Sequence, residues 1–194
     1  MCDITICGLQ ELPILLETKK FDAVISINDN YKNQKYHEHK HKRWMTRLKR
    51  HFTEEDILCL YFEDVMNDLE RHAPSKLHVE RIIDFGRRYA GKRLLIHCVM
   101  GASRSPAAGI IVLRALGKSL DEAVEQVQRV RSTSCPNPYM LQLYDEISSK
   151  EVNEILSTLH KESATEEYEE TDSDSDEEPQ EADEWMIRRI TYAT

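Results

Sequence analysis

The chain has 194 residues, of which 40% are hydrophobic and 31% charged, with five cysteines and a formal net charge of −9 at pH 7. That length suits one domain of about 150 residues with a tail, enough to bury a substantial core. The cysteines form no Cys-x-x-Cys pair, no secretory signal is recognisable, and no apolar run approaches the ~20 residues of a membrane span. These features argue against a disulfide-built secreted fold and an integral membrane protein. They predict a cytoplasmic location, and a basic patch at residues 40–43 leaves a nuclear one open.

The charge is divided unevenly along the chain. Residues 162–184 hold thirteen Asp and Glu and no Lys or Arg, and the last ten residues add two Arg, so residues 1–161 sum to +2. A segment this acidic and this poor in apolar residues cannot offset its ordering entropy. We therefore predict a domain over residues 1–160 and a disordered acidic tail over residues 161–194.

Strand and helix patterns alternate along the domain. Short apolar runs predict strands, and patterns of helical period predict helices. The strands are predicted at 3–7, 21–27, 57–62 and 93–97, and the helices at 9–18, 76–90, 104–116, 119–131 and 139–159. The second strand is largely apolar, which indicates a central position. This alternation predicts an α/β domain with a central, mostly parallel sheet of four or five strands flanked by helices.

Residues 31–52 interrupt the alternation with a strongly basic segment. It holds eight Lys or Arg against a single acid, Glu38, and its apolar residues from position 44 onward have helical spacing. We interpret it as a basic loop followed by a short amphipathic helix. The alternating histidines at 37, 39 and 41 have cationic neighbours that repel a metal ion, so no metal site is predicted. Two interpretations stay open: an exposed solubilising face, or a surface at 31–51 that attracts an anionic or phosphorylated ligand.

A loop of small residues joins the fourth strand to the following helix. From His97 to Ser105 it reads HCVMGASRS. In a strand–loop–helix setting, successive main-chain N–H groups converge on one point and the helix N-terminus adds positive potential, which suits a phosphate. The same setting favours a thiolate at Cys98, and a thiolate is a nucleophile at neutral pH. Arg104, six positions later, is able to hold two phosphate oxygens in a bidentate fork.

The other residues of this loop have supporting roles in this interpretation. Gly101 lets the main chain turn without a Cβ penalty. Ser105 donates a hydrogen bond to the sulfur and helps it leave in a later step, and His97 fixes the loop by hydrogen bonding rather than acting as a base. Phosphate binding is assigned to the whole loop, namely Val99, Met100, Gly101, Ala102, Ser103 and Arg104.

This stretch resembles the Cys-x5-Arg signature of the protein tyrosine phosphatases. The flanking His97, Ser105 and Pro106 resemble the small dual-specificity branch. The resemblance covers roughly residues 1–148 and is strongest between positions 57 and 144. It implies hydrolysis of phosphotyrosine, phosphoserine or phosphothreonine in proteins through a cysteinyl-phosphate intermediate. Neither a metal nor a cofactor is needed for that chemistry.

The resemblance also implies two residues outside the loop. An Asp about thirty residues before the nucleophile acts as general acid: Asp64 lies 34 and Asp68 lies 30 positions before Cys98. Asp64 is favoured because it directly follows a strand end, and Asp68 stays open. In such phosphatases an Asn or Gln ahead of the last helix often orders the loop and a water. Asn137 is a candidate for this role, with a helix N-cap before Pro138 as the alternative.

Other functions stay open at this point. RNA 5′-triphosphatases use the same signature, and the basic segment 31–51 keeps nucleic acid as a partner that is not favoured. A phosphate-binding scaffold or pseudophosphatase shares the fold, but such proteins typically lose the Cys, Arg or Asp that are all present here. A phosphoinositide phosphatase usually carries basic residues inside the loop, where Val99, Met100 and Ala102 are neutral. A phosphorylated protein is the expected substrate, and no membrane partner is predicted.

Overall fold

A computed structural model describes residues 3–30 and 44–150, in which strands and helices alternate as the sequence predicts. The strands are β1 (Asp3–Cys7), β2 (Ala23–Asn28), β3 (Ile57–Tyr61) and β4 (Arg93–His97). The helices are α1 (Leu12–Thr18), α2 (residues 44–48), α3 (Lys76–Arg88), α4 (Arg104–Ala115), α5 (Leu120–Val130) and α6 (residues 138–150). The predicted acidic tail and most of the basic loop, at 31–43, lie outside the described residues.

The four strands of the described ranges form one sheet in the order β1-β4-β2-β3, and every neighbouring pair is parallel. β2 and β4 are the central strands, and all six residues of β2 are buried. The predicted fold class, a parallel α/β sheet flanked by helices, is confirmed. None of the described helices is long and apolar enough to span a lipid bilayer.

Helices cover both faces of the sheet because side chains alternate along each strand. In β4, Leu94 and Ile96 belong to the larger hydrophobic cluster, which is shared with α3, α4, α5 and α6. Leu95 points the other way, into a smaller cluster with Leu12 and Leu48 of α1 and α2. α4 is buried along most of its length in the larger cluster. The loop before α4 is therefore fixed between a central strand and a central helix.

Candidate active site

Three reactive side chains follow the carboxyl ends of neighbouring parallel strands. Asp29 comes directly after β2, Asp64 follows β3, and Cys98 follows β4. The carboxyl ends of parallel strands lie at the same edge of a sheet, which is where α/β proteins bind ligands. The sheet order places β4, β2 and β3 side by side. The topology therefore brings these three residues together.

Cys98 is buried at this edge of the sheet, with only 1% of its surface exposed. Its sulfur accepts two hydrogen bonds, each 3.2 Å long, from the main-chain N–H of Gly101 and the hydroxyl of Ser105. Donors aimed at a sulfur stabilise its negative form more than its neutral form. The structure thus places Ser105 where the sequence interpretation requires it, in contact with the sulfur.

The loop from Val99 to Ser103 turns its carbonyl groups outward. Four of these oxygens accept hydrogen bonds from outside the loop: Val99 from Leu9 N at 3.0 Å, Met100 from Arg131 at 3.3 Å, Ala102 from Cys135 N at 2.7 Å and Ser103 from Asn137 N at 3.3 Å. In a planar trans peptide, the N–H of the next residue points the opposite way. The loop N–H groups therefore face inward and form a cradle around the position in front of Cys98.

Arg104 closes one side of the cradle. Its side chain is 4% exposed, and one terminal nitrogen contacts both the Phe62 carbonyl and Asp29 Oδ1 at 2.7 Å. Its Nε lies 3.8 Å from Asp64 Oδ2. That Nε–H is buried and has no hydrogen-bond partner among the described residues. A buried donor without a partner is energetically costly. An oxygen of a bound phosphate that accepted a hydrogen bond from this N–H would remove that cost.

Asp64 faces the cradle from the loop after β3. Its Oδ1 accepts hydrogen bonds from Ser103 Oγ at 2.7 Å and from Asn137 Nδ2 at 2.8 Å. Asn137 Nδ2 also donates to the Val65 carbonyl at 3.0 Å, and Asn137 Oδ1 accepts from Met140 N at 3.0 Å. The same side chain thus caps α6 and binds the Asp64 carboxyl group.

Comparison with known proteins agrees with this geometry. The family model that describes the sequences of the dual specificity phosphatase catalytic domain matches residues 9–148. The chain belongs to the dual specificity phosphatase family. Curated protein sequences give no match.

Solved phosphatase structures share the fold of this dual specificity phosphatase domain. Tk-PTP in its active form has a TM-score of 0.51 and 23% identity, covering 76% of this chain and 91% of that chain. PTPMT1 has a TM-score of 0.51 and 19% identity, covering 78% and 95%. Human DUSP28 has a TM-score of 0.50 and 15% identity, covering 78% and 94%. At these identities the likeness concerns the fold.

The loop that carries Asp64 in this dual specificity phosphatase domain is anchored at both ends. Glu63 N donates to the His72 carbonyl at 2.9 Å, and Asn30 N donates to Glu63 Oε1 at 3.1 Å. Asn30 Nδ2 lies 2.8 Å from His72 Nδ1. His72 has a φ of 65°, the left-handed region that non-glycine residues adopt at a cost. These bonds hold the turn in place and keep Asp64 at the cradle.

Asp68, the other candidate acid, occupies a different place. It lines a cavity of about 650 Å³ between the loop after Val65 and helix α6. There it lies close enough to Tyr139 to contribute to raising the pKa of that phenol, after the larger effect of burial. The structure therefore brings Asp64, and not Asp68, to Arg104 and the loop of Cys98.

His97 is expected to fix the loop by hydrogen bonding, and the structure gives this role only weak support. The side chain is fully buried, and neither ring nitrogen has a well-formed hydrogen bond among the described residues, although the ring lies close enough to the Cys98 main chain to interact with it. Burial lowers the pKa of His97 to about 4, so the ring is neutral at pH 7. His97 pairs with both Cys7 and Ser26 across the two neighbouring strands. It therefore packs at the end of β4 beneath the loop, and it carries no charge at pH 7.

Two features of the site were not anticipated from the sequence. The first is the pairing of Asp29 with Arg104, for which the position of Asp29 directly after a central strand is the available signal. The second is the contact between Gly8 and the loop that follows Cys98. A Cβ added at Gly8 would lie 2.7 Å from Met100 O, and one at Gly101, which has a φ of 73°, would lie 2.4 Å from Gly8 N. Both positions require glycine.

Proposed function

We propose that this domain hydrolyses phosphomonoesters through a phosphoryl group held transiently on Cys98, with phosphorylated proteins as substrates. One observation carries the proposal. A buried thiol that accepts two hydrogen bonds lies within a cradle of inward N–H groups, between a buried guanidinium and a carboxyl group. Each group matches one requirement of phosphoryl transfer: a nucleophile, charge stabilisation and a proton donor.

In the first step, the Cys98 thiolate attacks phosphorus and the P–O bond to the leaving group breaks. Arg104 and the loop N–H groups hold the other three phosphoryl oxygens as charge builds on them. Asp64 protonates the leaving oxygen. Its Oδ1 already accepts two hydrogen bonds, so the proton resides on Oδ2, the oxygen nearer to Arg104.

In the second step, water hydrolyses the cysteinyl-phosphate. Asp64, now a carboxylate, accepts a proton from the water as its oxygen attacks phosphorus. The S–P bond breaks, and the thiolate leaves with its charge stabilised by the hydroxyl of Ser105 and the N–H of Gly101. Inorganic phosphate is released. The proton taken from water restores the acid form of Asp64, and the thiolate of Cys98 is free again, so both residues are ready for another cycle.

The walls of the site favour a peptide over a highly anionic ligand. The loop side chains Val99, Met100 and Ala102 are neutral. Met100 is 73% exposed beside the cradle. Exposed apolar residues at a site rim supply contact area for an aromatic ring or a peptide. PTPMT1 has been seen with the phosphoinositide PI(5)P. In the present chain the loop side chains carry no positive charge at positions 99, 100 and 102, which argues against a substrate with a second phosphate group.

The basic segment supports a second candidate, hydrolysis of the 5′-triphosphate of RNA. Its eight Lys and Arg over residues 31–52 would attract a polyanion. In the described part of this segment, the Arg47 guanidinium lies over the Trp44 ring, 5.6 Å from its centroid. A pseudophosphatase is less well supported, because the thiol, guanidinium and carboxyl group are all in place.

A substrate panel tests this function. The protein, with a chelator present, is given peptides carrying phosphotyrosine or phosphothreonine, a phosphoinositide, and a triphosphate-ended RNA, and phosphate release is measured against the Cys98→Ser variant. We expect the highest kcat/KM with a phosphopeptide. Release from the RNA alone would replace the protein substrate with the second candidate. Release from none of the four would overturn the phosphatase function.

A further inference from the structure

One peptide group in the catalytic loop determines whether a donor or an acceptor faces the sulfur. The N–H of Gly101 donates to Cys98 Sγ at 3.2 Å. The carbonyl of the same peptide group belongs to Met100 and points the other way. If this group rotated by half a turn, a carbonyl oxygen would replace the donor beside the thiolate and an incoming phosphate. The contacts that fix the Met100 carbonyl therefore bear directly on the chemistry.

Two contacts fix that carbonyl from behind the loop. Met100 O lies so close to Gly8 that an added Cβ there would approach it to 2.7 Å. Arg131, at the end of α5, donates a hydrogen bond to Met100 O through its second terminal nitrogen at 3.3 Å. Gly8 gives the carbonyl room, and Arg131 gives it a charged donor.

Arg131 is itself held in place by Glu11, just before α1. Its first terminal nitrogen lies 2.6 Å from Glu11 Oε1, and Glu11 Oε2 accepts a hydrogen bond from Gly8 N at 2.8 Å. The side chain of Arg131 is 21% exposed and that of Glu11 is 45% exposed. Glu11 thus orients the guanidinium and also anchors the glycine against which the carbonyl packs.

We propose that Arg131 and Glu11 are positioning residues for the reaction: they orient the Met100–Gly101 peptide so that its N–H faces the thiolate and the phosphate. The inference rests on the proposed function of Cys98 as nucleophile. Neither residue touches the reacting atoms. They act through one peptide group, from the side of the loop opposite the cradle.

A purely structural role makes a different prediction. The ion pair also joins the end of α5 to the start of α1, and a simple tie between two helices would affect only the free energy of unfolding. A positioning role must in addition change the ionisation of Cys98, because the donor beside the sulfur is lost when the peptide rotates. The pH dependence of Cys98 alkylation separates the two roles.

The experiment compares Arg131→Met, Arg131→Lys and Glu11→Gln with the wild type. The readouts are kcat and KM for 4-nitrophenyl phosphate, Tm, and the pH midpoint of alkylation by iodoacetamide, followed by mass spectrometry on the peptide that contains Cys98. For Arg131→Met we expect kcat/KM to fall about 10- to 100-fold, the effect of losing a charge-assisted hydrogen bond. We also expect the alkylation midpoint to move to higher pH. Arg131→Lys retains the charge, so its kcat/KM should fall less than that of Arg131→Met.

A matched control is available on the same helix. Arg129 pairs with Glu125 at 2.9 Å, and both side chains are about 70% exposed, so Arg129→Met should leave the kinetics and the midpoint unchanged. The proposal is overturned if folded Arg131→Met matches this control in both. If Arg131→Met does not fold, Arg131→Lys and Glu11→Gln with wild-type midpoints overturn it equally. A wild type without turnover refutes the phosphatase function, while the midpoints still decide the positioning role.

Discussion

Replacing Cys98 with serine is expected to lower kcat for 4-nitrophenyl phosphate by about 10⁴- to 10⁶-fold, the range seen when an enzyme loses its nucleophile. An alcohol is a far weaker acid than a thiol and a poorer nucleophile, so serine cannot take over the attack on phosphorus. The cradle N–H groups and Arg104 remain in the variant. Inorganic phosphate should therefore still bind, which separates loss of chemistry from loss of the site.

A second cysteine provides the control for this variant. Cys59 lies in β3 and contacts Tyr61 and Asn28, away from the cradle, so Cys59→Ser should retain wild-type kcat. Cys7 is not an alternative nucleophile, because burial raises the pKa of its thiol to about 12. Residual turnover in Cys98→Ser within tenfold of wild type would contradict the nucleophile assignment.

Asp64→Asn should lower kcat by about 10² to 10⁴, the usual contribution of general acid catalysis. The side-chain amide of asparagine retains an acceptor oxygen for Ser103 and Asn137, but it has no acidic proton to donate to the leaving group. The loss should therefore depend on the leaving group. Phenyl phosphate, whose leaving group is about as basic as tyrosine, needs the proton most. 4-Nitrophenyl phosphate releases a more acidic phenol, so the rate of its first step should fall less.

Asp68→Asn is the matched control for the acid. The substitution is the same, only four residues along the same loop, but the side chain lines the cavity beside α6. We expect wild-type kcat with both substrates. Equal losses in the two variants would mean that the loop as a whole matters rather than one carboxyl group. A larger loss in Asp68→Asn would move the acid to that position.

Local sequence patterns predicted most of the fold. Each strand and helix depends on residues adjacent in sequence, so alternation and periodicity located β1 to β4 and the helices to within a few residues, while the predicted end of the last helix at 159 lies outside the described residues. The loop from His97 to Ser105 was also predictable, because its small residues, thiol and guanidinium are contiguous. The strand ends at Tyr61 and His97 then bring Asp64 and Cys98 to one edge.

The contacts that tune the site depend on residues far apart in sequence, and no local pattern contains them. Arg131 and Glu11 are separated by 120 positions, and Asn137 and Asp64 by 73. Gly8 is glycine because Met100 and Gly101 pass over it, which no pattern around residue 8 indicates. His97 was assigned a hydrogen bond from its chemistry alone. Its complete burial, and with it the loss of charge, depends on the strands on either side.

The most direct measurement is to trap the phosphoryl group on the protein. Asp64→Asn should slow hydrolysis of the cysteinyl-phosphate more than its formation from 4-nitrophenyl phosphate, because only hydrolysis still needs the carboxylate as a base. Reaction of this variant is quenched within its first turnover, and peptide masses are then determined. The account predicts one phosphoryl group on the peptide containing Cys98. Turnover with that peptide unmodified, or with the phosphoryl group on another residue, would contradict it.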